Sequence, residues 1–128
     1  MQYEYFYGAQ AEQFSLYRIP KALFTEPNFR ELSTDAKVLY GILLDRMSLS
    51  LKNQWLDAQN KVYIIFTVEE IMDALNCANQ KATRLMVELE KQAGLIERKR
   101  QGLGRPNLIY VENFAATIND KSCEKGDS

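Results

Sequence analysis

Apolar residues recur at helical spacing in the middle of the chain, and polar residues that start helices precede them. Ser33 can cap a helix that has Asp35 in its first turn and runs to Met47. Its apolar positions cover more than one face, so something besides the core is expected to cover it. The polar stretch 50–61 then predicts a loop, and the β-branched run 62–66 predicts a strand.

Residues 67–89 have the pattern of two short helices separated by a tight turn. Thr67 and Glu70 form a capping box, in which each side chain satisfies a backbone donor at the start of the helix. This helix is expected to stop at residues 76–78, and Asn79 is expected to cap the next one. The apolar residues of the second helix are Ala82, Leu85, Met86 and Leu89. Two helices around a turn of about three residues are typical of a helix-turn-helix.

Two β-strands are predicted after Gly94, which is expected to close the second helix. They cover residues 95–100 and 108–111, and the segment 101–107 joins them as a hairpin with an extended tip. The order helix, strand, helix, turn, helix, strand, tip, strand is that of a winged helix. The sequence therefore predicts an α+β fold: a winged helix-turn-helix with a three-helix core, a small antiparallel β-sheet and a β-hairpin wing.

The two ends of the chain lack this periodicity and define the domain limits. Residues 1–32 are rich in aromatic side chains, and we expect this N-terminal arm to pack on the core or on a dimer partner. Residues 33–114 form the predicted winged-helix domain. Residues 115–128 are polar and predict a linker or tail.

The composition excludes several classes of protein. The chain has 128 residues, 46% hydrophobic and 26% charged, which is typical of one globular domain. It contains no histidine, and Cys77 and Cys123 do not form a CxxC pair, so a zinc site, a catalytic histidine and a disulfide framework are not expected. No apolar run has the length of a membrane span, and the N-terminus lacks a secretory signal. We therefore expect a cytoplasmic protein without enzymatic activity, cofactor, metal or membrane partner.

The charges are distributed unevenly along the chain. The net charge is −1, but residues 80–107 contain seven Lys or Arg and three Glu, a balance of +4 against −5 elsewhere. Positive charge gathered on one part of a molecule is the electrostatic pattern expected of a protein that binds double-stranded DNA. Of the acidic residues in this segment, Glu88 and Glu90 are expected to be solvated helix charges.

The helix that begins near Asn79 is the predicted recognition helix. With its apolar residues turned inward, the outer face keeps side chains that can contact bases or phosphates. These candidates are Asn79, Gln80, Lys81, Thr83 and Arg84. Arg84 is the main one, because arginine can make two bonds to guanine. An ordinary solvated helix carries similar residues, so this helix alone does not decide the function.

The wing is the second predicted contact with DNA. Its candidates are Arg98, Lys99, Arg100, Arg105 and Asn107. The four cations would repel one another in a free hairpin, and they would gain from a phosphate backbone or a minor groove. The alternative is a hairpin made basic for solubility. The position of the wing after the helix-turn-helix favours DNA.

Several segments together resemble the N-terminal domain of RepA-type (RepA_N) plasmid replication initiators. They are Phe-Ser-Leu-Tyr-Arg-Ile-Pro-Lys-Ala-Leu-Phe at 14–24, Leu-Ser-Thr-Asp-Ala-Lys-Val-Leu-Tyr at 32–40, Asp-Arg-Met-Ser-Leu-Ser at 45–50 and Gly-Leu-Gly-Arg-Pro-Asn-Leu-Ile-Tyr at 102–110. The resemblance covers roughly residues 14–114. It implies an initiator of theta-mode replication in low-GC Gram-positive bacteria, whose winged helix binds repeated origin sites (iterons) as a dimer.

The resemblance also implies how such a domain is regulated and completed. Initiator dimers would pair across two origins and so limit plasmid copy number. Host replication factors would be recruited only by a C-terminal domain that follows a linker and that this chain lacks.

Two other classes of function stay open at this point. A winged-helix transcriptional regulator would have the same DNA-contacting face, but it would bind a promoter and need a ligand pocket. A protein-interaction scaffold would use the arm and the winged helix to hold partners and would never contact DNA.

Overall fold

The computed structural model describes residues 2–115, and the predicted tail lies outside them except for residue 115. The arm contains a 3₁₀ helix at Gly8–Gln13, the short helix α1 (Ala22–Thr25) and a second 3₁₀ helix at Pro27–Phe29. The remaining elements are α2 (Thr34–Lys52), α3 (Val68–Leu75), α4 (Asn79–Val87), a π-helical segment (Glu88–Gln92), β1 (Ile96–Lys99) and β2 (Leu108–Val111). No helix among residues 2–115 is both long and apolar enough to cross a membrane.

Helix α2 starts as predicted and ends later. The Ser33 hydroxyl accepts a hydrogen bond from the Ala36 N–H at 3.1 Å, which confirms the N-cap. The helix continues to Lys52, so the prediction of a loop from residue 50 was wrong for its first three positions. It ends where Gln54 adopts a left-handed conformation with φ of 59°.

Segments at both ends of the described chain cover the apolar face of α2 that lies outside the three-helix core. Leu23 and Phe29 from the arm are buried in the core. The segment around Ile19 crosses α2 at Gly41, where an added Cβ would lie 2.8 Å from Ile19 Cγ1. From the other end of the described chain, the Phe114 ring packs 5.1 Å from that of Phe29. The expectation that α2 is covered from outside the three-helix core is therefore confirmed.

The strand predicted at residues 62–66 is reduced to two isolated bridges. Val62 pairs with Leu56, and Ile64 pairs with Ile109 of β2. The turn inside the first bridge is held by the Asp57 carboxylate, which accepts from the N–H of Lys61 at 2.9 Å. That hydrogen bond is the main cause of the lowered pKa of Asp57. The extent of this strand was predicted wrongly, because side-chain bonds replace strand pairing here.

Strands β1 and β2 form the antiparallel hairpin that the sequence predicts. Ile96 is opposite Val111, and Lys99 is opposite Leu108. The core lies between the helices and the inner face of this sheet. Its nine most deeply buried large side chains are Leu23, Leu39, Leu43, Ile64, Ile71, Leu85, Leu89, Leu95 and Ile109. Three helices and a small sheet around one core confirm the α+β winged helix-turn-helix.

Candidate nucleic-acid interface

A capping box and a left-handed residue set the geometry of the helix-turn-helix. The Thr67 hydroxyl accepts from the Glu70 N–H at 3.2 Å, and the Glu70 carboxylate accepts from the Thr67 N–H at 3.0 Å. The predicted capping box is thus confirmed. Helix α3 ends at Asn76, whose φ of 52° turns the chain sharply toward α4.

The same carboxylate connects α3 to α2. Glu70 accepts a hydrogen bond from Arg46 Nη2 at 2.8 Å, and the Arg46 guanidinium lies over the Phe66 ring at 4.9 Å. The first turn of α3 is therefore held both by its own cap and by α2.

Helix α4 begins at Asn79, but Asn79 is not its cap. Ala78 occupies the N-cap position, has no side chain that can accept a hydrogen bond, and leaves Asn79 as the first helical residue. The prediction of an Asn79 cap was wrong, because the chain completes its turn one residue earlier than the polar residue suggests. The N-terminal N–H groups of α4 consequently have no side-chain cap.

The inner and outer faces of α4 are those predicted. Ala82, Leu85 and Met86 are buried. The exposed side chains are Asn79, Gln80, Thr83, Arg84 and Val87. The recognition-helix candidates therefore share one outward face, with the exception of Lys81.

Lys81 is half-buried and ion-paired. Its Nζ lies 2.6 Å from the Asp35 carboxylate in the first turn of α2. The pair connects the start of α4 to the start of α2. Because both side chains remain about half exposed, the pair contributes little stability by itself.

The wing tip is an ordered turn rather than a loose loop. The Arg105 N–H donates to the Gly102 carbonyl at 3.3 Å, and the Gln101 side-chain amide donates to the Pro106 carbonyl at 2.8 Å. Gly102 and Gly104 have φ of 119° and 77°, conformations that other residues rarely adopt. The exposed polar candidates of the wing are Lys99, Arg100, Arg105 and Asn107.

Arg98 differs from the other wing candidates, because its guanidinium is held inside the chain. Its Nε and Nη2 donate to Glu90 Oε1 at 3.0 and 2.8 Å, and its backbone N–H donates to Glu90 Oε2 at 3.2 Å. Burial alone would raise the pKa of Glu90, but the hydrogen bonds and charge of Arg98 hold that pKa below its ordinary value. The pair thus links the end of the recognition-helix segment to β1.

Glu88 makes a second such link, toward α2. Its carboxylate accepts hydrogen bonds from the backbone N–H of Ser33 and, at 3.0 Å, from the Ser33 hydroxyl. The residue is 8% exposed. The prediction that Glu88 and Glu90 are solvated helix charges was therefore wrong. The π-helical turn Glu88–Gln92 contains both residues and positions them for these two different partners.

Arg98, which makes the first of these links, also lines a cleft beside the wing. Clefts of about 350 and 560 Å³ lie on other faces, and a smaller one of about 250 Å³ opens between the start of α3 and the wing. Phe66, Val68 and Ile71 line one side of it, together with Met86 of α4. Arg98, Arg105 and Asn107 line the other. The wing residues Arg98, Arg105 and Asn107 therefore lie beside the start of α3, and α4 contributes the buried Met86 to their cleft.

Internal pairing also changes where the positive charge is available. Of the three acidic residues between positions 80 and 107, Glu88 is buried and Glu90 is paired, which leaves Glu97 exposed. Arg84, Lys99 and Arg105 are exposed cations on the helix and wing. The outer surface is therefore suited to a polyanion.

Sequence reasoning missed the residue at the apex of the wing. Leu103 is fully exposed, with a relative accessibility of 104%. The available sequence signal was a large apolar residue between two glycines in a segment otherwise made of polar residues and proline.

Comparison with known proteins matches residues 15–125 to the family model described as "Replication initiator protein A (RepA) N-terminus". A curated relative, the "41 kDa protein" of Lactobacillus helveticus, is 31% identical over 101 residues, which are 74% of this chain and 28% of that protein. The chain thus spans little more than a quarter of that relative's length.

Solved structures share both the fold and a substantial part of the sequence. One described as "N-Terminal domain of DNA binding protein" is 35% identical with a TM-score of 0.73, over 99% of this chain and 98% of that one. A "Structure of Rep-DNA complex" is 35% identical with a TM-score of 0.72, over 98% of both chains. A "Structure of MDR initiator" is 38% identical with a TM-score of 0.71, over 98% of this chain and 99% of that one.

Proposed function

This chain belongs to the replication initiator protein A (RepA) N-terminus family, and from that premise we propose that it binds double-stranded DNA sequence-specifically at a plasmid origin. The observation that carries the proposal is the exposed polar face of α4, followed along the chain by a hairpin with three exposed cations, Lys99, Arg100 and Arg105. The similarity to a chain from a Rep–DNA complex supports it.

In the proposed complex, α4 lies in the major groove and reads base edges with its first turns. Arg84 makes two bonds to a guanine, and Gln80 and Thr83 contact neighbouring bases. The uncapped N–H groups at the start of α4 bind a phosphate, because they lack a competing side-chain acceptor. Lys81 remains with Asp35 and holds the helix rather than reading a base.

The wing contacts the phosphate backbone between this groove and the adjacent minor groove. Lys99, Arg100 and Arg105 bind phosphates, and Asn107 donates a further hydrogen bond near the cleft. Arg98 positions the wing through Glu90 instead of contacting DNA directly. This division of roles assigns base reading mainly to α4 and backbone attraction mainly to the wing.

The biological role that fits this interface is to recognise repeated origin sites as a homodimer, in the cytoplasm and without catalysis. Pairing of dimers across two origins would limit plasmid copy number. We further propose that host replication factors are recruited by a separate C-terminal domain; this chain spans 28% of the length of its curated relative.

The decisive experiment is selection of bound duplexes from a random pool by this chain. An origin-binding domain is expected to enrich a short motif in direct repeats. A lone palindrome would instead indicate a promoter and a transcriptional regulator. No enrichment over random duplex at about physiological salt would overturn sequence-specific binding, and no salt-dependent binding at all would favour a protein scaffold.

A further inference from the structure

The apex of the wing is a single apolar side chain that lies between two arginines in the sequence. Leu103 has a relative accessibility of 104%, so no other group among the described residues covers it. Arg100 and Arg105 are exposed on either side of it along the chain. Isolated exposed leucines are common, but this one stands at the tip of the hairpin, in a segment made otherwise of glycine, proline and polar residues.

The backbone of the tip holds this leucine outward. Gly102 and Gly104 flank it, both with positive φ, and the Arg105 N–H bonds to the Gly102 carbonyl at 3.3 Å to close the turn. The Gln101 amide closes the base of the tip on Pro106 at 2.8 Å. Because the turn is closed by two hydrogen bonds, the backbone that carries Leu103 is preorganised before the side chain meets any partner.

The charges around Leu103 indicate the chemistry of its partner. A partner must offer an apolar slot for the leucine and negative charge for the arginines on both sides. Duplex DNA has both features, since base faces are apolar once unstacked and each groove is bordered by phosphates. An apolar protein pocket would satisfy the leucine and would leave the cations without partners.

We propose that Leu103 is an apolar wedge that enters the minor groove between two base pairs, partly unstacks them and bends the duplex toward the major groove. This inference rests on the proposed DNA-binding function and adds to it a specific deformation. Flexible pyrimidine–purine steps cost least to unstack, so the wedge also gives a sequence preference at a step that no side chain reads by hydrogen bonds.

The test uses the duplex enriched in the selection, with the fluorescent base 2-aminopurine placed in turn at each base step near the wing to report unstacking. A dye pair at the two ends of the duplex reports bending through the end-to-end distance. Wild-type protein is expected to raise 2-aminopurine fluorescence at one step and to shorten the end-to-end distance. Leu103→Ser is expected to abolish both signals and to weaken binding about tenfold, the scale of one buried apolar side chain. Its salt dependence should not change, because no phosphate contact is lost.

Arg105→Ala is the matched control at the same tip. It should reduce the slope of the logarithm of the binding constant against the logarithm of salt concentration by about one, because it removes a phosphate contact. The 2-aminopurine signal should remain, because Leu103 is unchanged. Since Leu103 is fully exposed, equal melting temperatures of wild type and Leu103→Ser are expected and exclude misfolding as a cause.

Specific binding without any unstacked step would overturn the wedge and leave the proposed function intact. Unstacking that persists in Leu103→Ser would overturn it as well. If Leu103→Ser changed only the mass of the protein assembly, the leucine would be a protein contact and the inference would be wrong. Failure of wild type to bind any duplex specifically would instead reject the proposed function.

Discussion

Neighbouring arginines and lysines in this protein have different environments, and those environments separate their roles. Arg98 has both its guanidinium and its backbone N–H bonded to Glu90, whereas Lys99, the next residue, is exposed. Arg84 is exposed on the outer face of α4. A count of cations along the segment cannot distinguish these cases, because whether a cation already has a partner depends on tertiary contacts.

Arg84→Ala is expected to weaken binding to the selected DNA site by about 1–3 kcal/mol, because a bidentate contact to guanine is lost. The same loss should relax the sequence preference at one base pair. Fluorescence anisotropy titration against a panel of single-base variants measures both effects. Arg84→Lys is the matched variant, since it keeps the charge and loses the two-bond geometry. Full recovery by Arg84→Lys would show that the residue contacts a phosphate.

Glu90→Gln is expected to destabilise the fold by roughly 1–3 kcal/mol at neutral pH, because it leaves the largely buried Arg98 without its counter-charge. The pKa of Glu90 is lowered in the folded state, so its stabilisation is complete above the ordinary value of 4.5 and is lost as pH falls through the lowered pKa. Urea denaturation near pH 7 and at acidic pH measures this difference.

The free energies of unfolding of wild type and Glu90→Gln should become equal at acidic pH. A difference of equal size at both pH values would contradict the ion pair as its cause. Glu97→Gln, which changes an exposed carboxylate on the same hairpin, should alter stability by no more than about 0.5 kcal/mol.

At the scale of elements, the sequence predicted those that depend on local signals. The Ser33 cap and the capping box at Thr67 involve residues three apart, so spacing alone reveals them. The strand at 62–66 failed, because its extent depends on Asp57 and on one partner in β2. The hydrogen bonds of the Glu88 and Glu90 carboxylates were missed. Their partners, Ser33 and Arg98, lie 55 and 8 positions away along the chain, so no local spacing reveals them.

Packing of the arm on α2 gives a prediction for Gly41→Ala. Within a helix this change should stabilise by up to about 1 kcal/mol, but overpacking a filled contact costs roughly 1–3 kcal/mol. The new Cβ would lie 3.0 Å from the Arg18 carbonyl oxygen, a backbone atom that cannot rotate away. Overpacking therefore outweighs propensity, and we expect a net loss of stability in urea denaturation.

Ser48→Ala is the control on the same helix, since Ser48 is exposed and the change affects propensity without filling space. It should be neutral or slightly stabilising. A Gly41→Ala protein as stable as wild type would show that the arm shifts away from α2 without cost.

At the scale of the whole molecule, the arm is divided into two parts. Residues 18–32 contribute buried side chains such as Leu23 and Phe29, whereas Tyr5, Phe6 and Phe14 are each more than half exposed. Phe6 and Phe14 contact each other edge to face at 5.9 Å. A cluster of exposed rings on a folded domain is typical of a surface that another protein covers.

We expect removal of residues 1–14 to lower the fraction of the proposed homodimer, because it removes all three of these rings and leaves the buried part of the arm in place. Sedimentation of the full and shortened chains over a range of concentrations measures this change. Leu103→Ser is the control, as it removes an exposed apolar side chain at the wing. An unchanged dimer fraction in the shortened chain would place the dimer interface elsewhere.

The bridge between Ile64 and Ile109 has a consequence for how the wing moves. Each residue donates its N–H to the other's carbonyl at 2.9 Å, and both side chains are buried. Their amides should therefore be among the slowest in hydrogen exchange, while amides of the exposed tip should exchange fast. A wing fixed at its inner end and closed at its tip by two hydrogen bonds moves with the core as one unit, so the proposed DNA sites would all have to present a groove of similar width to it.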